Sequence, residues 1–319
     1  GKPRLLSTAL MVLLGTMILA NIASRMHQSL MPLFVQSLGA GVEQVGLFFT
    51  VTSIVPLVFQ IVGGFVSDCI GRLRAVAIGS VAGVIGYALT ILAPSWGWLI
   101  VATSVSSIAS CFVGPSFQAF VAEQSTEEAR GRTFATVNSI YMVVGVIGPP
   151  IGGFVSENYG FRAMFIVAGA LYSVATVIRL RMAAAAKRRG QADSPPGGDG
   201  PGGTAVSARP TLKAMWSSLT AMAALIAAGG MMTWLFISDG LSDVAGSLAW
   251  GLESVYQANL FGMTPTQITS LSSVYAAVVM VLLPAGGWLS DRLGERVGIV
   301  LGHSLFLAGH VAFLFASSY

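Results

Sequence analysis

The chain has 319 residues, of which 54% are hydrophobic and only 9% charged, with a formal net charge of +4. A soluble domain carries about 25% charged residues, so this composition excludes a chain whose surface is built to face water. Apolar runs of about 20 residues recur along it, each able to cross a hydrocarbon core roughly 30 Å thick, and such continuous runs also exclude a β-barrel.

In chain order, the first predicted span runs from about Leu5 to the Leu38-Gly39 break, and the second from Gln44 to Ser67. Spans three and four, Arg74–Ala93 and Trp96–Ala122, meet at "APSWGW". The charged turn "EQSTEEARGR" (Glu123–Arg132) leads to spans five and six, roughly Phe134–Val155 and Phe161–Leu180. Composition then shifts: "KRRGQADSPPGGDGPGGT" (Lys187–Thr204) begins basic and becomes rich in Gly and Pro, as a flexible linker does. An apolar region restarts near Met215, followed by span eight at Gln267–Leu289 and span nine at Val297–Ser317. The predicted class is therefore an all-α polytopic membrane protein, with an N-terminal six-helix bundle over 1–182, a cytoplasmic linker over 183–211 and helices seven to nine over 212–319.

Charge placement orients these spans. Of the 17 Lys and Arg, all but Arg25 and Arg162 fall at chain ends or turns that lie on one side if the spans alternate. The positive-inside rule makes that side, with the N-terminus and the linker, cytoplasmic. The basic balance thus speaks of a bilayer and not of nucleic acid. Two cysteines, Cys69 in a turn and Cys111 inside a span, imply neither a disulfide framework nor a metal site.

The chain repeats itself. Leu38–Gly71 lies over Phe261–Gly294 without gaps, 223 positions apart, with Gly39/Gly262, Gln44/Gln267, Gly63/Gly286, Ser67/Ser290 and Asp68/Asp291 among the coincidences. Two copies in one membrane orientation are the mark of parallel transporter halves. Each copy ends in a charged turn, "GGFVSDCIGRLR" and "GGWLSDRLGERV". Gly64 and Gly287 admit a close helix, Asp68 and Asp291 suit the positive end of the following helix, and Gly71 and Gly294 permit a positive-φ turn. Arg72, Arg74, Arg292 and Arg296 supply basic partners.

These turns resemble the signature of the major facilitator superfamily, Gly-x-x-x-Asp-(Arg/Lys)-x-Gly-(Arg/Lys)-(Arg/Lys). Gly64, Asp68, Gly71 and Arg72 match its first copy, with Cys69 in place of a basic residue and Leu73 at the last basic position. Gly287, Asp291, Arg292, Gly294 and Arg296 match the second, with Glu295 departing. The resemblance implies a fold of two parallel six-helix halves, in which the turn belongs to a charge network that tunes the outward-open and inward-open states. It also implies that the second half, here ending after three spans, is a C-terminally truncated fragment of a protein that is a monomer at full length.

"GPPIGG" (Gly148–Gly153) resembles the Gly-Pro-x-x-Gly-Gly core associated with antiporters of the same superfamily. Pro149 and Pro150 bend the helix, and Gly148, Gly152 and Gly153 permit tight packing. A packing helix without antiport chemistry explains the same residues. Many drug/proton antiporters carry an arginine inside span four; Trp96–Ala122 has no ionisable residue, which counts against that assignment.

Ionisable groups inside spans are functional candidates. Asp239 and Asp243 share one helical face, at a depth with two readings. Counted from Met215, Asp239 lies about 36 Å along, at the outer surface; in the repeat register it matches Thr16, about 16 Å into span one, and Asp243 matches Ala20 at about 22 Å. At mid-depth the pair could bind a cation or exchange protons. Asn21 and Arg25, Gln60, Gln118, and Asn138 with Tyr141 are further substrate or proton candidates, each equally suited to interhelical hydrogen bonding.

The expected function is secondary transport of a small solute by alternating access, with proton-coupled efflux as one form. The partners expected are that solute, protons and the lipid bilayer. A non-transporting sensor or scaffold on the same fold is the competing class. No His-Glu-x-x-His, Gly-x-Ser-x-Gly or phosphate-binding Gly-Lys-Ser/Thr loop occurs, so neither an enzyme nor a cofactor is expected.

Overall fold

The computed structural model describes residues 8–125, 130–188, 220, 224 and 229–315. Regular structure among them is helical: α1 (Thr8–Gln28), α2 (Met31–Ser37), α3 (Val42–Ile70), α4 (Arg72–Ile91), α5 (Trp96–Glu123), α6 (Arg130–Arg188), α7 (Met231–Phe261), α8 (Pro265–Leu293) and α9 (Glu295–Leu314). Within hydrocarbon no water can satisfy backbone polar groups, so the chain must satisfy them along its own helices. Hydroxyls do likewise: Ser80 donates to the Val76 carbonyl at 2.7 Å, Thr90 to Gly86 at 2.9 Å and Ser116 to Phe112 at 2.6 Å.

Five stretches among the described residues are long and apolar enough to cross a membrane: Ala9–Gln28, Arg72–Ile91, Trp96–Glu123, Thr133–Arg188 and Pro265–Gly286. The fourth is two helices in series. Gly160 breaks it with φ 85 and ψ 163, a conformation open to glycine and almost nothing else. The break falls at the predicted boundary between spans five and six.

One predicted boundary differs, and a second falls where few residues are described. The first span is two helices, turning at Ser29 and Leu30, with Pro32 in the first turn of α2. There its missing N–H forfeits no helical bond. The seventh helix begins at Met231, because Gly229 and Gly230 before it take φ 78 and 86. The predicted start near Met215 and most of the linker lie outside the described residues. This break removes the difficulty of a helix from Met215 to Leu260, about 69 Å long and too long for one straight span.

The repeat is written into helix lengths. α3 and α8 have 29 residues each, and α4 and α9 have 20 each, in the register read from the sequence. Gly39 and Gly262 precede the first helix of each copy at φ 90 and 63, and Gly71 and Gly294 join the two helices at φ 89 in both. The entry is capped alike: the Gly41 N–H donates to Gln44 Oε1 and the Thr264 N–H to Gln267 Oε1, each at 2.9 Å. The copies differ upstream, where α7 runs unbroken through Val255, the counterpart of Pro32.

Contacts group the chain into two units, Gly1–Phe34 with Gln124–Ala175 and Ser254–Tyr319, and Val35–Glu123 with Thr176–Glu253. In the second unit α4 lies on α5. Val76, Gly79, Ser80, Gly83, Tyr87 and Thr90 are buried at helical spacing, while Ile78 and Ile85 on the opposite face stand 56% and 49% exposed, where lipid takes the place of a core. A Cβ on Gly79 would lie 2.8 Å from Phe112 Cβ, and one on Gly86 3.0 Å from Ser106 Cβ, so the glycines set the helix spacing. Cys111 is buried in this unit with its thiol 3.7 Å from the Pro56 carbonyl, a packing role. In the first unit, Phe34 stacks at tilted angles on Phe165 and Phe161, at 4.8 and 5.8 Å between ring centres. Met26, Leu30 and Met164 are fully buried in the same unit.

Candidate functional site

Of the first charged turn, Gly71 holds the positive-φ corner and Arg72 opens α4. The Arg72 Nε donates to Glu123 Oε1 at 3.0 Å, joining the start of α4 to the end of α5. Arg74, two residues on, is half-buried. Gly64 and Asp68 lie on α3, but their surroundings, like those of Gln60 and Cys69, are outside the described residues. The second copy uses its charge differently. Arg292 stacks its guanidinium 4.3 Å from the centre of the Trp288 ring, one helical turn back. This arginine aligns with Cys69 and Glu295 aligns with Arg72, so the two turns share a backbone while their charges stand at different positions. Gly287, Asp291 and Arg296 fall on α8 and α9, with side-chain surroundings outside the described residues.

The glycines of α6 lie at a seam. A Cβ on Gly148 would come 2.6 Å from Arg25 Cβ, and one on Gly152 would run into the Met26 backbone, 2.7 Å from its Cα. Both glycines therefore hold α6 against α1. Gly153 faces the other way: its Cβ would strike Thr269 Oγ1 and lie 2.9 Å from Thr266 Cα, on α8. Further along, Gly145 would place a Cβ 3.7 Å from Ala276 Cβ. Pro149 and Pro150 sit between these contacts, inside the helix. This stretch is thus packed on two sides, by α1 and by α8.

Asn21 donates to the Met17 carbonyl at 2.8 Å, and Arg25 donates to Gln28 Oε1 at 3.0 Å, each within its own segment of α1. Gln118 and Asn138 are exposed, and Tyr141 is half-buried. Asp239 and Asp243 are both exposed on α7. From Met231 they lie about 12 and 18 Å along the helix.

Three groups escaped the sequence reading. Arg179 is 2% exposed, with Nη1 donating to Ser80 Oγ at 2.7 Å, while Thr176 Oγ1 lies 3.5 Å from the Ser80 carbonyl. The sequence places Arg179 and Arg181 alike among the cations at chain ends or turns. Two residues apart on a helix they point about 200° from each other, so one had to turn inward, and Arg181 is the exposed one. The others are Glu157 and the α8 N-terminus. The Glu157 carboxylate accepts from the Thr266 N–H at 3.1 Å, beside the Thr266 and Thr264 hydroxyls. Glu157 is exposed, three residues before Gly160 and beyond the end of the predicted span. The Thr266 hydroxyl and N–H, then the Thr264 hydroxyl, hold its carboxyl below the ordinary carboxylate range.

Among solved structures, a bacterial homolog of the human lysosomal transporter Spinster matches 93% of this chain and 64% of its own, with a TM-score of 0.66 and 16% identity. That likeness is one of fold. Among proteins compared by sequence, the multi-drug resistance efflux pump PmrA of Streptococcus pneumoniae is 29% identical over 154 residues, 47% of this chain and 38% of the pump. The quinolone resistance protein NorA of Staphylococcus aureus is 21% identical over 150 residues, again 47% and 38% of the two chains. The chain therefore matches well under half the length of these relatives. The model of the Major Facilitator Superfamily matches residues 13–254. With that match over three-quarters of the sequence, the helical repeat and the apolar spans, this chain is an integral membrane protein of the Major Facilitator Superfamily.

Proposed function

We propose that the protein is a secondary transporter that exports a small amphipathic solute by alternating access, in exchange for protons. The observation that carries the reading is the paired architecture: 29- and 20-residue helices, joined at a glycine of φ 89, occur twice along the chain in the same register. Two like hairpins in parallel halves are what a rocking exchange between two faces requires. The names of the relatives, a multi-drug pump and a quinolone resistance protein, favour efflux.

In this reading residues 1–182 and 212–319 belong to two bundles joined by the linker, with the N-terminus and linker in the cytoplasm, and the full-length protein works as a monomer. Asp239 and Asp243 carry the exchanged proton or a cationic substrate. Their place about 12 and 18 Å from the start of α7 favours the repeat register over the outer-surface reading. Arg72 and Glu123, with the second turn, set the balance of the two states, and the α6 seam limits how α1 and α8 move beside it.

The test is accumulation of an amphipathic cationic dye in pump-deficient cells expressing the complete gene product. Expression should lower accumulation, a protonophore should restore it, and Asp239→Asn should behave like the empty vector. Accumulation unchanged by expression, with dye binding to the purified protein intact, would replace the transporter by a sensor or scaffold. Export that survives Asp239→Asn and the protonophore would remove the aspartate and the proton from the mechanism.

A further inference from the structure

The packing of α6 against α8 has an end that the packing itself does not need. From Gly145 at Ala276, through Gly153 at Thr269 and Thr266, the two helices run antiparallel at close range. The seam could stop there. Instead Glu157, one turn past Gly153, lays its carboxylate on the start of α8 and takes the Thr266 N–H, with the hydroxyls of Thr266 and Thr264 beside it favouring its charge. A helix start is electropositive and leaves N–H groups without intrahelical partners, so a carboxylate from another helix is well matched to it.

The repeat supplies an internal control. α8 already has a complete cap of its own: Thr264 and Gln267 exchange hydrogen bonds, at 2.9 Å from the Thr264 N–H and 3.4 Å from the Gln267 N–H, the reciprocal box of a helix start. Its counterpart α3 begins in the same register with Gly41 and Glu43 at the positions of Thr264 and Thr266. Those residues offer no hydroxyl, and the acid would repel a second carboxylate. A helix in this register therefore forms without threonine at either position; Thr264 serves both the box and the acid, while Thr266, outside the box, bonds Glu157.

We propose that Glu157 and the Thr264/Thr266 pair form a latch on the outer side, which pins the first arm of α6 to α8 and must release before the two helices can part at that end. The outer placement rests on the orientation proposed above. In that orientation α8 starts outside, and the first arm of α6 ends there. Glu157 remains ionised at neutral pH, so the latch yields to movement of the helices and not to mild acid.

The test reads water access along the seam. In a Cys69→Ser/Cys111→Ser background, a reporter cysteine replaces Ala276, and a membrane-impermeant maleimide is added to intact cells expressing the complete protein. Glu157→Gln and Thr266→Val should each raise the labelling rate about three- to five-fold, the scale of one water-exposed ionic contact. Gln267→Ala, which touches only the helix's own cap, should leave the rate near the parent's. Rates within about 1.5-fold of the parent for both latch variants, below that same scale, overturn the latch. A second arm uses Glu157→Cys with Thr266→Cys and a short bis-methanethiosulfonate linker. The linked pair should lose dye export and regain it with reductant; export undiminished in the linked protein also overturns the latch. If the parent exports nothing while the labelling changes stand, the transport reading fails and the latch does not.

Discussion

Gly152→Ala is the sharpest probe of the α6 seam, because the obstacle is backbone and cannot swing aside. The new Cβ would approach the Met26 carbonyl carbon to 2.5 Å and its Cα to 2.7 Å. Carbon atoms rest at about 3.5–4.0 Å, so α1 and α6 must separate by roughly 1 Å. Such a gap forfeits a quarter to a half of each dispersion contact across it, and overpacking of this kind costs about 1–3 kcal/mol. That loss works against the helix propensity gained, about 0.5–1 kcal/mol for Gly to Ala. Gly15→Ala on exposed α1 supplies the comparison, since no described atom lies within 4 Å of its Cβ. In detergent-solubilised protein followed by thermal denaturation, Gly15→Ala should raise the midpoint and Gly152→Ala should lower it. A midpoint for Gly152→Ala at or above that of the parent would refute the tight crossing and, with it, the reason given for glycine at that position.

The buried arginine and the Arg72–Glu123 ion pair each make a separate prediction. Ser80→Ala removes the hydroxyl that Arg179 Nη1 reaches at 2.7 Å. It should destabilise the protein by about 1.5–3 kcal/mol, the range for a hydrogen bond to a charged group, and Ser80→Thr should restore most of the midpoint. For Arg72 and Glu123, a double-mutant cycle with Arg72→Gln and Glu123→Gln should give a coupling of about 0.2–1 kcal/mol, as befits a partly exposed pair. That coupling should weaken in high salt.

How far the sequence reached depends on whether a property is written locally. The Gly71 and Gly294 corners were legible because a positive φ narrows the choice of residue, and Gly160 punctuates α6 for the same reason. Register was legible because helix length is a count of residues, and the repeat carried it from one copy to the other. Pairing was not. Arg72 finds Glu123 across two helices, and Glu157 finds Thr266 across more than a hundred residues, with nothing nearby to announce either. Arg179 was missed because a cation near the end of a span reads as an interfacial anchor, and only the angle between it and Arg181 separates the inward residue from the outward one. The start of α7 at Met231 was not legible, because the positive φ of Gly229 and Gly230 just before it leaves the hydropathy uninterrupted.

The matched helix lengths carry a consequence for which mutations this chain can bear. A helix is a screw thread: adding or removing one residue inside α4 advances everything beyond it by about 1.5 Å and turns it by about 100°. One residue inserted between Arg72 and Ser80 would leave the composition of the span unchanged. It would still swing the Ser80 hydroxyl away from Arg179 and the Gly86 face away from α5. The aligned residues of the two copies have diverged at most positions while their counts have not, so the chain should absorb many changes of letter and very few changes of length.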